Sequence, residues 1–274
     1  MDNGRLEEGR GMDLGIRGKV ALVCGASKGL GKQVAMALAR EGAKVALCAR
    51  EGSALEKAAR EISERFEAEV WFLPTDLSRP EEARRFARGA LERFGTAHIL
   101  VNNAGGPPSS SFMELEEGEW LDAFYLNFMS AVILTKEVIP SMLEQGWGRI
   151  VNLTSVAVKQ PIEGLILSNA VRAAVHGWAK SLSNELASRG ILVNCVCTGF
   201  MRTERVENLA KDMAEAKGVD KEEIIGNWEA QIPMGRLGRP EELADLVVFL
   251  ASERASYITG TSIAIDGGYC KGLL

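Results

Sequence analysis

Short, continuously apolar runs alternate along this chain with longer stretches in which apolar residues recur every three or four positions. Val20–Cys24, Lys44–Ala49, Glu69–Leu73, His98–Asn102, Arg149–Thr154, Ile191–Cys197 and Thr261–Ile265 read as strands. Lys32–Glu41, Gly52–Phe66, Pro80–Phe94, Glu119–Glu144, Ile162–Ser188 and Pro240–Ala251 read as the helices between them. Strands that are apolar on both faces belong in a parallel sheet covered on both sides. Right-handed crossovers then give a doubly wound α/β sheet of about seven strands in one domain. Residues 1–17 read as a polar, mobile arm and residues 18–274 as the domain. The segment Phe200–Gly235 breaks the alternation. Its Met213, Ile224, Ile225 and Trp228 lie among many charges, so residues 200–235 read as an amphipathic helical cover whose apolar side chains pack the cover itself.

Totals narrow the function classes. The 274 residues are 46% hydrophobic and 25% charged, with net charge −5 and a pI near 5.4, which does not suggest a nucleic-acid partner. No apolar run approaches bilayer-spanning length, and Met1–Glu8 lacks the apolar core of a signal peptide, so a cytoplasmic protein with no membrane partner is expected. The five cysteines, Cys24, Cys48, Cys195, Cys197 and Cys270, have no framework spacing and read as reduced thiols. With only His98 and His176, both placed as structural residues, no metal site and no Ser-His-Asp triad is expected.

Chemistry begins at the first strand–helix junction. Gly25-Ala-Ser27-Lys28-Gly29-Leu30-Gly31 lies directly between a strand and a helix, where glycines let a backbone turn tightly against a pyrophosphate. In that context the turn reads as a dinucleotide site and the fold as Rossmann-like. An acid at the end of the second strand would suit the ribose of NAD, but this strand ends in Arg50. Arg50 and Lys28 suit a 2′-phosphate, which favours NADP(H) over NAD(H); the alternative is that both are solvated surface cations. Asp76 then reads as an acceptor for the adenine amine.

These motifs, together with Asp76-Leu77, Asn102-Asn103-Ala104-Gly105, Asn127, Ser155, Gly235–Glu242, Ile258-Thr-Gly260 and Asp266-Gly-Gly268, resemble those of the short-chain dehydrogenase/reductase family, in its 3-oxoacyl-(acyl-carrier-protein)-reductase-like branch. The likeness runs from Lys19 to Gly268. It implies an oxidoreductase that moves a hydride between nicotinamide and a small carbonyl or alcohol substrate. It also implies that Asn102–Gly105 border the cofactor, that Asn127 organises a relay water, and that Ser155 hydrogen-bonds the substrate carbonyl. Gly199, Met201 and Thr203 would approach the nicotinamide, and the cover would be a substrate lid. Family members assemble as dimers or tetramers through the long fourth and fifth helices and the last strand, so a homo-oligomer, a homotetramer in particular, is expected.

The chain departs from the family at three places. Cys24 replaces a usual threonine, and Thr198 replaces a usual proline, which is expected to loosen the turn beside the nicotinamide. The Tyr-x-x-x-Lys pair, expected from thirteen residues after Ser155, is Ser168-Asn-Ala-Val-Arg172. An aliphatic hydroxyl is a much weaker acid than a phenol and is carried on a shorter side chain, so Ser168 does not replace tyrosine alone. Arg172 shares its helix face at the i, i+4 spacing, and it can hold ribose hydroxyls but not relay protons. Tyr125 points away from Asn127 on a regular helix, and nothing in the sequence brings Tyr257 or Tyr269 to the site. Lys159, four residues after Ser155, reads either as a desolvated acid or as a solvated loop lysine, and the same choice applies to Glu163. Three functions therefore stay open: an NADP(H)-dependent oxidoreductase with a non-standard proton donor, a non-catalytic nucleotide-binding protein for regulation or assembly, and a dehydration or isomerisation with Lys159 as base.

Overall fold

The sheet runs β3-β2-β1-β4-β5-β6-β7 and every adjacent pair is parallel. In this computed structural model, which describes residues 12–273, the strands are β1 (Val20–Cys24), β2 (Lys44–Ala49), β3 (Val70–Pro74), β4 (Ile99–Asn102), β5 (Gly148–Ser155), β6 (Ile191–Thr198) and β7 (Ser262–Ile265). The helices are α1 (Gly29–Arg40), α2 (Gly52–Phe66), α3 (Pro80–Phe94), α4 (Glu117–Phe124), α5 (Ser130–Gln145), α6 (Ile166–Leu186), α7 (Glu204–Lys217), α8 (Lys221–Gln231) and α9 (Pro240–Leu250). Side chains alternate across the pleat. Ala21 and Val23 of β1 enter a core layer under α1, α2 and α9, while Val20, Leu22 and Cys24 enter the layer under α3, α5 and α6. This is the doubly wound, single-domain architecture expected from the apolar pattern. Strand order reverses between β1 and β4, which opens a crevice at their carboxyl ends, where ligands of such sheets bind.

Two expectations change. Residues 1–11 of the expected arm lie outside the described residues. Residues 13–17 are packed rather than mobile: Ile16 is 1% exposed in the α1/α9 core layer. Leu14 accepts a hydrogen bond from Glu253 N at 2.9 Å, and Asp13 O accepts one from Arg254 Nε at 2.7 Å. The physical reason is the pair Leu14 and Ile16, which offers apolar surface to a nearby core.

The second concerns length. A π-turn over Tyr125–Met129 joins α4 to α5, giving one 29-residue helix, Glu117–Gln145, with an 18-residue stretch of mean hydropathy 1.2. By length and composition it could cross a membrane, a property that Asp122, Lys136 and Glu137 hide in the sequence. Here it packs against α3, β5 and α6, the contacts of a core helix in a doubly wound fold.

Candidate active site

The Gly-rich turn leaves β1 under tight steric limits. Gly25 and Gly29 have φ of 60° and 57°, in the left-handed region. A Cβ on Gly31 would lie 2.3 Å from Gly25 O, so α1 approaches the turn closer than any side chain allows. The N-terminus of α1 has no side-chain cap from Lys28 and no acid in its first turn. Its N–H groups and dipole are therefore free to receive an anion, and a dinucleotide pyrophosphate fits this cradle. Asn103 Nδ2 ties the loop after β4 to the turn by donating to Cys24 O at 3.1 Å.

At the end of β2, Arg50 is exposed and has no ion pair among the described residues. Its charge acts on Asp76, two residues beyond the end of β3. Burial would raise the Asp76 carboxyl, but hydrogen bonds from Ser78 and the charges of Arg50 and Arg79 hold it below the usual range. Lys28 instead pairs with Glu204 at 3.1 Å, both side chains being exposed. Ser27 and Leu30 are half-buried in the turn, and Leu77 is buried at 7%, its side chain in the core.

Across the crevice, Ser155 ends β5. Its Oγ accepts from Ala157 N at 3.1 Å, which leaves the hydroxyl proton available to a substrate oxygen. Arg172, on α6, donates from Nη1 to Leu153 O and from Nη2 to Ala104 O, both at 3.5 Å. The side chain keeps part of its surface accessible while its Nε is sealed. Burial, then the charge of Arg205, pushes its pKa down to about 10, so it stays protonated at neutral pH. Ser168, one turn earlier, is 7% exposed.

Arg172, Asn102, Asn103, Ala104, Asn127 and Thr154 are among the residues around a cavity of about 20 Å³, roomy enough for one water. Asn127 sits in the π-turn and donates to Ala123 O at 3.3 Å. Such turns re-aim side chains and recur at functional sites. Tyr125, two residues away, is 42% exposed on the outer face.

Lys159 is not brought to this cavity. It lines a separate hollow of about 290 Å³ with Val158, Ala173, His176 and Ser262. Gly164 to Leu165 and Glu163 lie in the loop before α6, where Glu163 is exposed. His176 is fixed by Thr154 Oγ1 at 2.8 Å and Ser262 Oγ at 2.7 Å, and burial holds its pKa near 4.

The turn after β6 is tight. Thr198 Oγ1 donates to Thr154 O at 2.8 Å, so this threonine ties the turn down instead of loosening it. A Cβ on Gly199 would lie 2.7 Å from Asp266 Cα. Met201 is 3% exposed, its side chain beneath Gly238, so only its backbone faces outward. Thr203 caps α7 by accepting from Val206 N at 3.4 Å, and its methyl lies 3.9 Å from a Cβ built on Gly29. The start of α7 thus meets the Gly-rich turn. Ile224, Ile225 and Trp228 of α8 are buried in a cluster with Val156, Phe200 and Tyr269, which is packing of the cover.

Arg205, next in α7, was not expected from the sequence. Its Nη2 donates to Gly106 O at 3.2 Å from an exposed side chain. A Cβ on Gly106 would lie 2.8 Å from that nitrogen, so the glycine pair Gly105-Gly106 was the available signal.

A family model described as enoyl-(acyl carrier protein) reductase matches residues 25–270. The 3-oxoacyl-(acyl-carrier-protein) reductase FabG of Vibrio cholerae is 37% identical over 255 residues, covering 93% of this chain and 98% of that protein. That of Aquifex aeolicus is 34% identical over 257 residues, covering 94% and 99%. Among solved structures, L-sorbose reductase from Gluconobacter frateurii complexed with NADPH and L-sorbose superposes with a TM-score of 0.93 at 35% identity, covering 96% of this chain and 100% of that one. An actinorhodin polyketide ketoreductase with NADPH gives 0.87 at 33%, covering 93% and 98%.

Proposed function

Because this chain belongs to the short-chain dehydrogenase/reductase family, we propose that it is an NADP(H)-dependent oxidoreductase that interconverts a carbonyl and an alcohol, in the manner of the 3-oxoacyl reductases, without a tyrosine acid. The observation that carries the reading is the uncapped, acid-free start of α1 beside a turn that only glycine can make, set opposite a Ser155 hydroxyl with a free proton. Gly25 to Gly31 and α1 would hold the pyrophosphate, Arg50 the 2′-phosphate, Asp76 the adenine amine, and Ala104, Gly105, Gly199 and Thr203 the nicotinamide end. NADPH in the two solved relatives supports the cofactor choice.

When bound, the nicotinamide cofactor supplies or accepts the hydride. Ser155 donates to the substrate oxygen and so orients the carbonyl. Arg172 adds fixed positive charge beside it, which stabilises negative charge developing on that oxygen. A guanidinium holds its proton, so the proton that completes the alcohol comes from water, and Asn127 and the small cavity beside Arg172 mark the place for it. The exposed Leu121 and Phe124 on α4 and Tyr125 in the π-turn after it support a homo-oligomer, a tetramer in the family's manner, and the five free cysteines support the cytoplasmic reading.

The test is NADPH titration by calorimetry, followed by NADPH oxidation with a panel of ketones and 3-oxoacyl thioesters. Saturable binding with turnover is expected. Binding without turnover of any carbonyl would favour the non-catalytic reading, which the Ser168 substitution supports. No binding would contradict both.

A further inference from the structure

The water-sized cavity and the hollow at Lys159 are joined by a chain of hydrogen bonds. Thr154 is among the residues lining the cavity beside Arg172 and Asn127. His176 and Ser262 line the hollow of about 290 Å³, where Ala173 on the rim is exposed. Between the two spaces, Thr154 Oγ1 lies 2.8 Å from His176 Nε2, and His176 Nδ1 lies 2.7 Å from Ser262 Oγ. Thr154 is in β5, His176 is in α6 one turn after Arg172, and Ser262 opens β7, so no link of the chain hangs on a loop.

Donors and acceptors match in one direction. Thr154 Oγ1 donates to Val196 O at 3.2 Å, so it accepts from Nε2–H, and Nδ1 then accepts from the Ser262 hydroxyl. One donor and one acceptor on the same ring require neutral imidazole, and burial, then the charges of Lys159 and Arg172, hold its pKa down to about 4. Cys197 Sγ, 4.0 Å from Nε2, does not compete, because burial raises its thiol pKa and it keeps its proton. A neutral imidazole bonded on both sides passes a proton across itself by changing tautomer. The site needs such a path, since Arg172 does not release its proton and a single cavity water that gives one away must regain it.

We propose that Thr154, His176 and Ser262 are the path by which the cavity water regains its proton from solvent in the hollow. The proposal rests on the reductase reading above and completes its proton supply. Once hydride transfer has left an alkoxide, its oxygen takes a proton from the cavity water. That water takes the Thr154 hydroxyl proton, Thr154 takes the proton of Nε2, Nδ1 takes that of Ser262, and Ser262 takes one from a water in the hollow. Each transfer breaks one O–H or N–H bond and forms another, so alkoxide plus water become alcohol plus hydroxide. After the product leaves and solvent enters the crevice, the same exchange run backwards restores Nε2–H. His176 and Ser262 touch no substrate and are positioning residues for the proton.

The experiment is single-turnover NADPH oxidation with the best carbonyl of the panel, in light and heavy water, with thermal melts and NADPH calorimetry on every variant. Glutamine at position 176 can donate to Thr154 and accept from Ser262 but cannot pass a proton. His176→Gln and Ser262→Ala should therefore slow the step by about tenfold or more while melting temperature and NADPH affinity hold. Ser262→Thr, which keeps the hydroxyl, should recover most of that loss. Wild type should run slower in heavy water. In His176→Ala, imidazole added to the buffer should enter from the hollow and restore rate saturably, an effect absent from wild type. His176→Gln as fast as wild type overturns the proposal and leaves the ring a structural link. So does a slowed His176→Gln whose NADPH affinity falls in step, a wild type indifferent to heavy water, or a His176→Ala that imidazole does not help. If no carbonyl turns over, the reductase reading fails separately, and NMR of the His176 ring nitrogens decides this one. A ring N–H that exchanges quickly with water in wild type and slowly in Ser262→Ala supports the path, and exchange indifferent to Ser262 rejects it.

Discussion

Arg172 and Asn102 line the same small cavity, and each has one sealed polar atom, Nε and Oδ1, without a partner among the described residues. The rest of Asn102 is committed, with Nδ2 donating to Asn152 Oδ1 at 2.9 Å. Buried polar groups left unmatched in a water-sized space call for one ordered water. A crystal structure at high resolution should show that water bonded to both atoms. Asn102→Ala should cost about 1–3 kcal/mol in urea denaturation, because it also strips Asn152 of its donor.

Gly31 sets two effects against each other. In a helix, alanine is favoured over glycine by about 1 kcal/mol. Here a Cβ would lie 2.3 Å from Gly25 O and 2.8 Å from Cys24 O, both backbone atoms that cannot yield cheaply. Steric conflict wins, so Gly31→Ala should lower the melting temperature and weaken NADPH binding by tenfold or more in calorimetry.

The proposed NADP(H) preference assigns the 2′-phosphate to Arg50, exposed beside Asp76. Arg50→Ala should reduce the ratio of NADPH to NADH affinity by about tenfold or more, measured with both nucleotides by calorimetry, with little change for NADH. An equal loss for both nucleotides would place the 2′-phosphate elsewhere.

The two histidines predict an acid response. Burial, helped by Lys19 at His98 and by Lys159 and Arg172 at His176, holds both near pH 4 instead of 6.5. His98 Nδ1 accepts from Val20 N at 3.0 Å, a bond that needs the neutral ring. The folded state therefore binds fewer protons than the unfolded chain between these values. Stability should be full above about pH 6.5 and fall as pH drops toward about 4. His98→Gln should flatten urea-derived stability across that window.

A parallel, doubly wound sheet of about seven strands, covered on both faces, was legible in the sequence because continuous apolar runs and a Gly-rich turn leave little choice of sheet type. What stayed hidden depends on long-range geometry. A regular helix is the default reading of Glu117–Gln145, and nothing local announces the π-turn that aims Asn127. Lys159 sits four residues after Ser155, but the turn Val156–Val158 sets it at a hollow lined by Ala173, His176 and Ser262, one turn along α6 from the cavity beside Arg172. Arg205 looked like one more charge on a solvated cover until the fold brought it to Gly106, 99 residues away in sequence. Leu14 and Ile16 were too short a pattern to signal docking.

The central claim is that carbonyl chemistry here runs on Ser155 and Arg172 without a phenol. Rapid-mixing single-turnover oxidation of NADPH tests it most directly, with wild type, Ser155→Ala and Arg172→Met at saturating cofactor and the best substrate of the panel. Losing the hydroxyl donor or the fixed charge should slow the step by about 10²-fold or more in each variant while NADPH still binds. A step in wild type that is indifferent to Ser155, or no oxidation with any carbonyl, would contradict it.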